Sequence, residues 1–270
     1  ACITSCYNSP RKEWHIPHAL IEAYRHVLAD EALDADLRAE LLTPPGFEDL
    51  AVLLKDIDVE KLEAARDFYR AELGRTLFEE LKAKYESLWQ QEDHTMNGHA
   101  YSRRKLRNIC LALMMKANEA EVLTACQQQF AKAKTMTDQI TSLALLVNCT
   151  KPHVGEKVIQ DFYKQWEKNE LVLDKWFALQ ASCELPNTLE NVKKLLSHPA
   201  FNIKNPNKVR ALIGAFSQNN PRHFHAADGS GYVFLTDMLL KMDKINPQIA
   251  ARLATPLTRW QRLDATRQKI

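Results

Sequence analysis

The sequence predicts an all-α protein, and three observations support this prediction. Apolar residues recur at three- and four-residue steps along nearly the whole chain, as they do on one face of a helix. No segment resembles a ladder of β-strands. The 270 residues include only seven glycines, with no G-x-G-x-x-G or Walker-type loop, which argues against an α/β nucleotide-binding fold.

The first predicted helix follows Pro17, a residue that suits the first turn of a helix. HALIEAYRHVLAD (residues 18–30) places its apolar side chains on one face. The Pro-Pro-Gly sequence at 44–46 cannot continue a helix, and a short helix is predicted after it over 47–57.

One long helix is predicted from Asp58 to about Gln91, followed by a loop over 92–102. Gly74 lies within this helix, where glycine costs about 1 kcal/mol relative to alanine, so we expect close packing there. The apolar pattern consists of Leu62, Tyr69, Leu73, Leu77, Leu81, Tyr85 and Leu88.

Ten further helices are predicted, and brief turns join them. Two begin with an Asn-Pro pair, Asn205-Pro206 and Asn246-Pro247, in which the asparagine caps the helix. Short helices in close succession indicate an irregular α-superhelix (solenoid) of packed antiparallel helix pairs, HEAT/armadillo-like but without a strict repeat length. The ten lie near residues 100–116, 118–133, 137–148, 154–169, 171–183, 188–197, 206–217, 231–243, 247–254 and 257–268.

The amino-acid composition limits the kinds of partner that the chain is expected to bind. A net charge of +2 does not indicate a nucleic-acid partner. The basic run SRRKLRN (102–108) is interpreted as a solvated helix face. No apolar run has the length of a transmembrane helix or the position of a signal peptide, so no membrane partner is expected. Six cysteines without a C-x-x-C pair indicate reduced thiols in a cytoplasmic protein.

One segment offers a candidate metal site. In NNPRHFHAADGSGY (219–232), His223, His225 and Asp228 are residue types that bind zinc or iron. The alternative is a turn in which Asp228 or Ser230 caps the next helix. We favour the turn, because no third and fourth ligand lie nearby in the sequence. His94 and His99 are likewise interpreted as exposed loop histidines, since they form no H-E-x-x-H motif.

Two arginines stand out because each follows an Asn-Pro helix start by a similar offset. Arg210 and Arg252 lie one to two turns into their helices, and Gln248 lies four residues before Arg252 on the same face. In a solenoid such positions tend to face the concave side, where arginine can bind a carboxylate bidentately. Pairing with a neighbouring acidic side chain is the alternative, and the sequence alone does not decide between them.

Over residues 18–270 the chain resembles the C-terminal (fourth) domain of bacterial aminopeptidase N, in the zinc-dependent metallo-aminopeptidase family. The segments that carry this resemblance are KLRNICLAL (105–113), MTDQITSLALL (136–146), LVLDKWFALQA (171–181), NPNKVRALIGAF (205–216), FHAADGSGYVFL (224–235) and INPQIAARLATPLTRWQRLDATRQ (245–268).

The resemblance implies a domain that caps the active site, lines the substrate chamber and limits access to it. Matched by position, Arg210, Gln248 and Arg252 would line that chamber. The family's H-E-x-x-H and G-x-M-E-N motifs do not occur here, so the chain alone is expected to carry no catalytic residue, metal or cofactor. Zinc is then expected in the catalytic domain of the parent enzyme, and the expected partners are that enzyme's other domains and its peptide substrate.

The chain departs from the family pattern at both ends. ACITSCYNSPRKEWHI (1–16) matches nothing in the family, and neither helix nor strand is predicted for it. It is either an altered junction or a segment that is not native to the domain. The superhelix domain would span 17–270, and it would be C-terminally truncated, because the family domain continues beyond TRQKI.

Two other functions stay open at this point. A free-standing helical-repeat scaffold would bind a protein or peptide on its concave face. A small metalloenzyme would use His223, His225 and Asp228.

Overall fold

The structure, a computed structural model, describes residues 1–91 and 95–270. Within these ranges the regular structure is helical, with one isolated bridge between Ile57 and Leu263 and no β-strand, so the all-α prediction is confirmed. No helix in these ranges is both long enough and apolar enough to cross a membrane. His94 lies outside the described residues.

Eighteen α-helices lie in the described ranges, with a π-helix at Arg210–Gly214 and 3₁₀ helices at Arg11–Glu13 and Thr255–Arg262. The α-helices are α1 (Cys2–Asn8), α2 (His18–Ala29), α3 (Ala35–Leu42), α4 (Phe47–Ala51), α5 (Val59–Thr76), α6 (Phe78–Gln90), α7 (Gly98–Ala117), α8 (Glu119–Lys132), α9 (Met136–Val147), α10 (Pro152–Trp166), α11 (Glu170–Ala181), α12 (Thr188–Leu195), α13 (Pro206–Val209), α14 (Ala215–Asn219), α15 (Pro221–Phe224), α16 (Ser230–Asp243), α17 (Pro247–Leu253) and α18 (Ala265–Gln268).

The chain divides into two compact units. The first comprises Ala1–Leu53 and Lys61–Leu146, and the second comprises Leu54–Glu60 and Val147–Ile270. In the first unit α7 packs against α6 and α3, and in the second α16 packs against α17 and α11 against α12. Three of these four pairs join helices that are neighbours in sequence, as helix pairs require, whereas α3 and α7 are distant in sequence.

The long helix predicted over 58–91 is in fact two helices. The chain leaves helical geometry at Leu77, where φ is −107° and ψ is 20°. Leu73, Leu77 and Leu81 are all 0% exposed, so the apolar pattern continues across the break. Because α5 and α6 each bury a row of apolar side chains at helical spacing, the hydrophobic pattern could not reveal the boundary between them.

Close packing at Gly74 is confirmed. A Cβ atom at this position would lie 2.2 Å from the carbonyl oxygen of Leu113 and 3.0 Å from the Cβ of Ala117. Both residues belong to α7, so Gly74 lets α5 approach the backbone of that helix.

The interpretation of residues 102–108 as a solvated face is wrong for two of the arginines. Arg104 is 0% exposed and Arg107 is 1% exposed. Arg107 Nη2 lies 2.8 Å from a carboxylate oxygen of Asp138, which is also buried. Lys105 is more exposed, and its Nζ pairs with carboxylates of α3. The basic run is thus largely part of the first unit's packing.

The irregular structure predicted for residues 1–16 is wrong for Cys2–Asn8, which forms α1. Ile3, Cys6 and Tyr7 are buried, and their spacing places them on one helix face. Seven residues form only about two helical turns, and no side chain caps the helix, so neither periodicity nor capping indicates it.

Candidate functional site

The segment that carries Arg210 begins as its sequence predicts. Asn205 is the N-cap of α13, and its side-chain oxygen accepts a hydrogen bond from the Asn207 backbone N–H at 2.9 Å. Pro206 occupies the first helical turn, where a missing N–H leaves no bond unmade. The Asn-Pro pair therefore begins the helix that leads to Arg210.

A π-helix over Arg210–Gly214 directly follows α13, and π-helical turns are frequent at functional sites. Lys208, two residues before the π-helix, is only 3% exposed. Its Nζ donates to the Asp174 carboxylate at 2.8 Å and to the Glu170 carbonyl at 2.9 Å, both on α11. Arg210 is exposed, and its Nη2 donates to Asn207 Oδ1 at 2.9 Å.

At Gly214, the turn that carries Arg210 lies next to α17. A Cβ atom at Gly214 would lie 3.7 Å from Arg210 Cγ and 3.8 Å from Leu253 Cδ2, which are ordinary contact distances. Asn246 caps α17 by accepting from the Ile249 N–H at 3.2 Å, with Pro247 in the first turn. The two Asn-Pro starts thus place their helical turns side by side.

Gln248 and Arg252 are both exposed on α17 and lie one turn apart. Among the described residues, no carboxylate oxygen lies within 4.0 Å of the guanidinium of Arg210 or Arg252. The pairing with a neighbouring acidic side chain is therefore not found there. Two exposed guanidinium groups and an amide can donate hydrogen bonds to carboxylate or carbonyl oxygens.

His223 and His225 point to different partners. His223 Nε2 lies 3.0 Å from the Glu184 carbonyl oxygen, whereas His225 Nδ1 lies 2.8 Å from the Tyr232 hydroxyl. Asp228 Oδ1 accepts from the Ser230 N–H at 2.9 Å, at the start of α16. These contacts describe a turn that leads into α16.

The turn also requires two of its glycines. Gly229 has a φ of 74°, in the left-handed region that glycine adopts readily. A Cβ atom at Gly231 would lie 2.2 Å from the Phe224 carbonyl oxygen. In residues 1–91 and 95–270, no group of three or more His, Cys, Asp or Glu side chains is arranged to hold a metal ion.

Sequence reasoning missed the residues that support Arg210. Lys208 appeared only as one more basic residue in NPNKVR, yet it is buried. Asp174 lies 34 residues earlier in sequence, so its pairing with Lys208 depends on the fold. The π-helical turn has no sequence signature of its own.

The fold and these exposed side chains define a helical-repeat domain with a polar face. The family described as "Domain of unknown function (DUF3458_C) ARM repeats" matches residues 2–270, and the chain belongs to this family. The match includes most of the N-terminal segment 1–16. ARM repeats are stacked helices, in agreement with the predicted helical solenoid.

The chain is similar in sequence to aminopeptidases of other bacteria. The chain is 40% identical over 256 residues to aminopeptidase N of Escherichia coli (strain K12), covering 94% of the chain and 29% of that protein. It is 36% identical over 253 residues to aminopeptidase N of Haemophilus influenzae, covering 93% of the chain and 28% of that protein. The chain therefore spans less than a third of the length of these relatives.

A solved structure shows the same fold. The aminopeptidase A of Legionella pneumophila, crystallised in complex with aspartic acid, matches 99% of the chain and 32% of its own length. The TM-score is 0.90 at 28% sequence identity.

Proposed function

We propose that this chain is the C-terminal domain of a longer aminopeptidase, which releases N-terminal amino acids from peptides. In this proposal the domain caps the active site, lines the substrate chamber and limits access to it. The observation that carries the proposal is the 40% identity to aminopeptidase N over 94% of the chain but only 29% of that protein.

The proposal assigns catalysis to another domain of the same enzyme. Zinc would be bound there, because this sequence contains neither H-E-x-x-H nor G-x-M-E-N. When bound, zinc activates water and polarises the scissile carbonyl. The proposed partners of this chain are thus the other domains of the enzyme and the peptide. Six free cysteines fit the cytoplasmic location that we propose for it.

Arg210, Gln248 and Arg252 are proposed to line the chamber. A peptide held by its N-terminal amine directs the rest of its chain and its carboxylate away from the catalytic centre. Exposed guanidinium groups that have no carboxylate partner among the described residues are suited to bind those oxygens. Asn207 supports this role, since its bond to Arg210 Nη2 holds the guanidinium in one orientation.

A binding experiment separates this proposal from that of a free-standing scaffold. The chain, tagged and purified, is mixed with the remaining portion of its parent enzyme, expressed as a separate polypeptide. We expect a stoichiometric complex, and we expect the chain alone to leave an alanyl chromogenic substrate intact even with added zinc. Capture of unrelated proteins without the catalytic portion would favour the scaffold, and hydrolysis by the chain alone would overturn the proposal.

A further inference from the structure

Two cysteine side chains meet on α1. Cys2 and Cys6 are four residues apart, so they lie one helical turn from each other on the same face. Both sulfur atoms contact one acceptor, the carbonyl oxygen of His15, at 3.6 Å from Cys2 Sγ and 3.9 Å from Cys6 Sγ. Cys6 is buried, whereas Cys2 is only partly buried, so the pair can be reached from solvent on one side.

Three other cysteines are arranged differently. Cys126 Sγ contacts the Ser142 carbonyl at 3.7 Å, and Cys149 Sγ contacts the Lys151 carbonyl at 3.4 Å. Cys183 Sγ contacts the Val147 carbonyl at 3.8 Å. Each of these thiols has a carbonyl acceptor of its own, so the shared acceptor sets Cys2 and Cys6 apart within the described part of the chain.

The protonation state of Cys2 makes this thiol slow to react with reagents that attack a single thiolate. Burial is the main cause that raises the pKa of Cys2 to about 11, and the charge and hydrogen bond of the neighbouring Cys6 thiol contribute to the same shift. Cys2 is therefore a neutral thiol at pH 7, and it is a poor nucleophile toward reagents that need a single thiolate.

The spacing on a helix suits a bridging ion better than a disulfide. Side chains at i and i+4 have Cβ atoms roughly 5–6 Å apart, whereas a disulfide needs about 3.5–4.5 Å. An ion that forms two sulfur bonds of about 2.3 Å can join sulfur atoms up to roughly 4.6 Å apart. We propose that Cys2 and Cys6 form a dithiol site that binds one soft, thiophilic ion, such as trivalent arsenic, through both sulfur atoms.

Phenylarsine oxide is a suitable probe, because its arsenic atom condenses with two thiols. Two As–S bonds form, the As–O bonding is lost, and the oxygen leaves as water with the two thiol protons. No oxidant or reductant is needed, since arsenic stays trivalent and both sulfurs stay reduced.

The test uses the full chain, folded and reduced, at pH 7. Native mass spectrometry after incubation with phenylarsine oxide is expected to show one phenylarsine group per chain. Cys2→Ser and Cys6→Ala are each expected to abolish this adduct, whereas Cys149→Ser, which alters a buried thiol elsewhere, is expected to retain it. Circular dichroism verifies that each variant is folded, and the partly exposed Cys2→Ser variant decides the outcome if Cys6→Ala does not fold.

Iodoacetamide provides the complementary measurement. We expect alkylation of Cys2 in the folded chain to be slow at pH 7, and prior addition of the arsenical to block it. An adduct that persists in Cys2→Ser, or the absence of an adduct in the wild-type chain, would overturn the proposal.

Discussion

His225 Nδ1 lies 2.8 Å from the hydroxyl of Tyr232, and their rings are packed edge to face at a centroid distance of 5.6 Å. Arg267 donates from Nε to the His225 carbonyl at 2.6 Å, so the same residue is held at both its ring and its backbone. The imidazole of His225, a candidate metal ligand in the sequence, therefore stabilises the turn before α16.

The environment of His225 predicts a pH dependence of stability. Burial, with a smaller contribution from the Arg267 cation, lowers the pKa of His225 to about 4, and the charge of Asp264 opposes this shift. In the unfolded chain the pKa is about 6.5, so between these values only the unfolded chain binds the proton. Stability is complete above pH 6.5 and falls as the pH decreases toward 4.

Urea unfolding at pH 7 and pH 5 measures this effect. We expect the wild-type chain to lose roughly 1–2 kcal/mol more between the two pH values than His225→Gln does. His153→Gln, which changes an exposed histidine of α10, is the control and should behave as wild type. An equal loss in wild type and His225→Gln would contradict the assignment.

Glycine-to-alanine substitution is expected to have opposite effects on stability among three helical glycines, Gly74, Gly214 and Gly231. At Gly74 and Gly231 a Cβ atom would lie 2.2 Å from a backbone carbonyl oxygen, so Gly→Ala should destabilise each by at least about 1–3 kcal/mol. At Gly214 the nearest atoms are 3.7 Å away, so alanine fits and should stabilise by about 0.5–1 kcal/mol. Thermal or urea unfolding of the three variants tests this order, and destabilisation by Gly214→Ala would show that the space there is misjudged.

Two buried arginines of the first unit should respond differently to replacement by methionine. Arg107→Met removes the cation that pairs with buried Asp138, 2.8 Å away, and should cost about 3 kcal/mol. Arg38 has one long contact, Nη2 to the exposed Glu31 at 3.4 Å, while its Nε and Nη1 are buried without a hydrogen-bond partner in the described ranges. Arg38→Met should therefore leave the free energy of unfolding unchanged or raise it by about 1 kcal/mol. Equal destabilisation of both variants would contradict this distinction.

Local sequence signals predicted much of the second unit. Asn205-Pro206 and Asn246-Pro247 begin helices as expected, because capping depends on side chains within three residues of the helix start. Asp228 satisfies the first N–H of α16 in the same local manner.

Features that depend on distant residues were not predictable. The break at Leu77 is hidden because both flanking helices continue the same buried row. Arg107 resembles a surface cation in sequence, and only the fold brings Asp138 to it. For the candidate site, the Asn-Pro offsets led to Arg210 and Arg252, but the inward anchor Lys208 depends on α11, more than thirty residues earlier.

In the proposed function, Arg210 and Arg252 face a peptide substrate within a longer aminopeptidase. In the complete enzyme that carries this chain, Arg210→Ala/Arg252→Ala should lower kcat/KM for trialanine by roughly 10- to 100-fold, as loss of charge-assisted hydrogen bonds worth about 1.5–3 kcal/mol predicts. For alanine p-nitroanilide, which has no carboxylate, kcat/KM should stay within about twofold, and the exposed-lysine control Lys241→Ala should change neither value. An unchanged kcat/KM for trialanine, or an equal loss for both substrates, would show that these arginines do not bind the substrate's carboxylate.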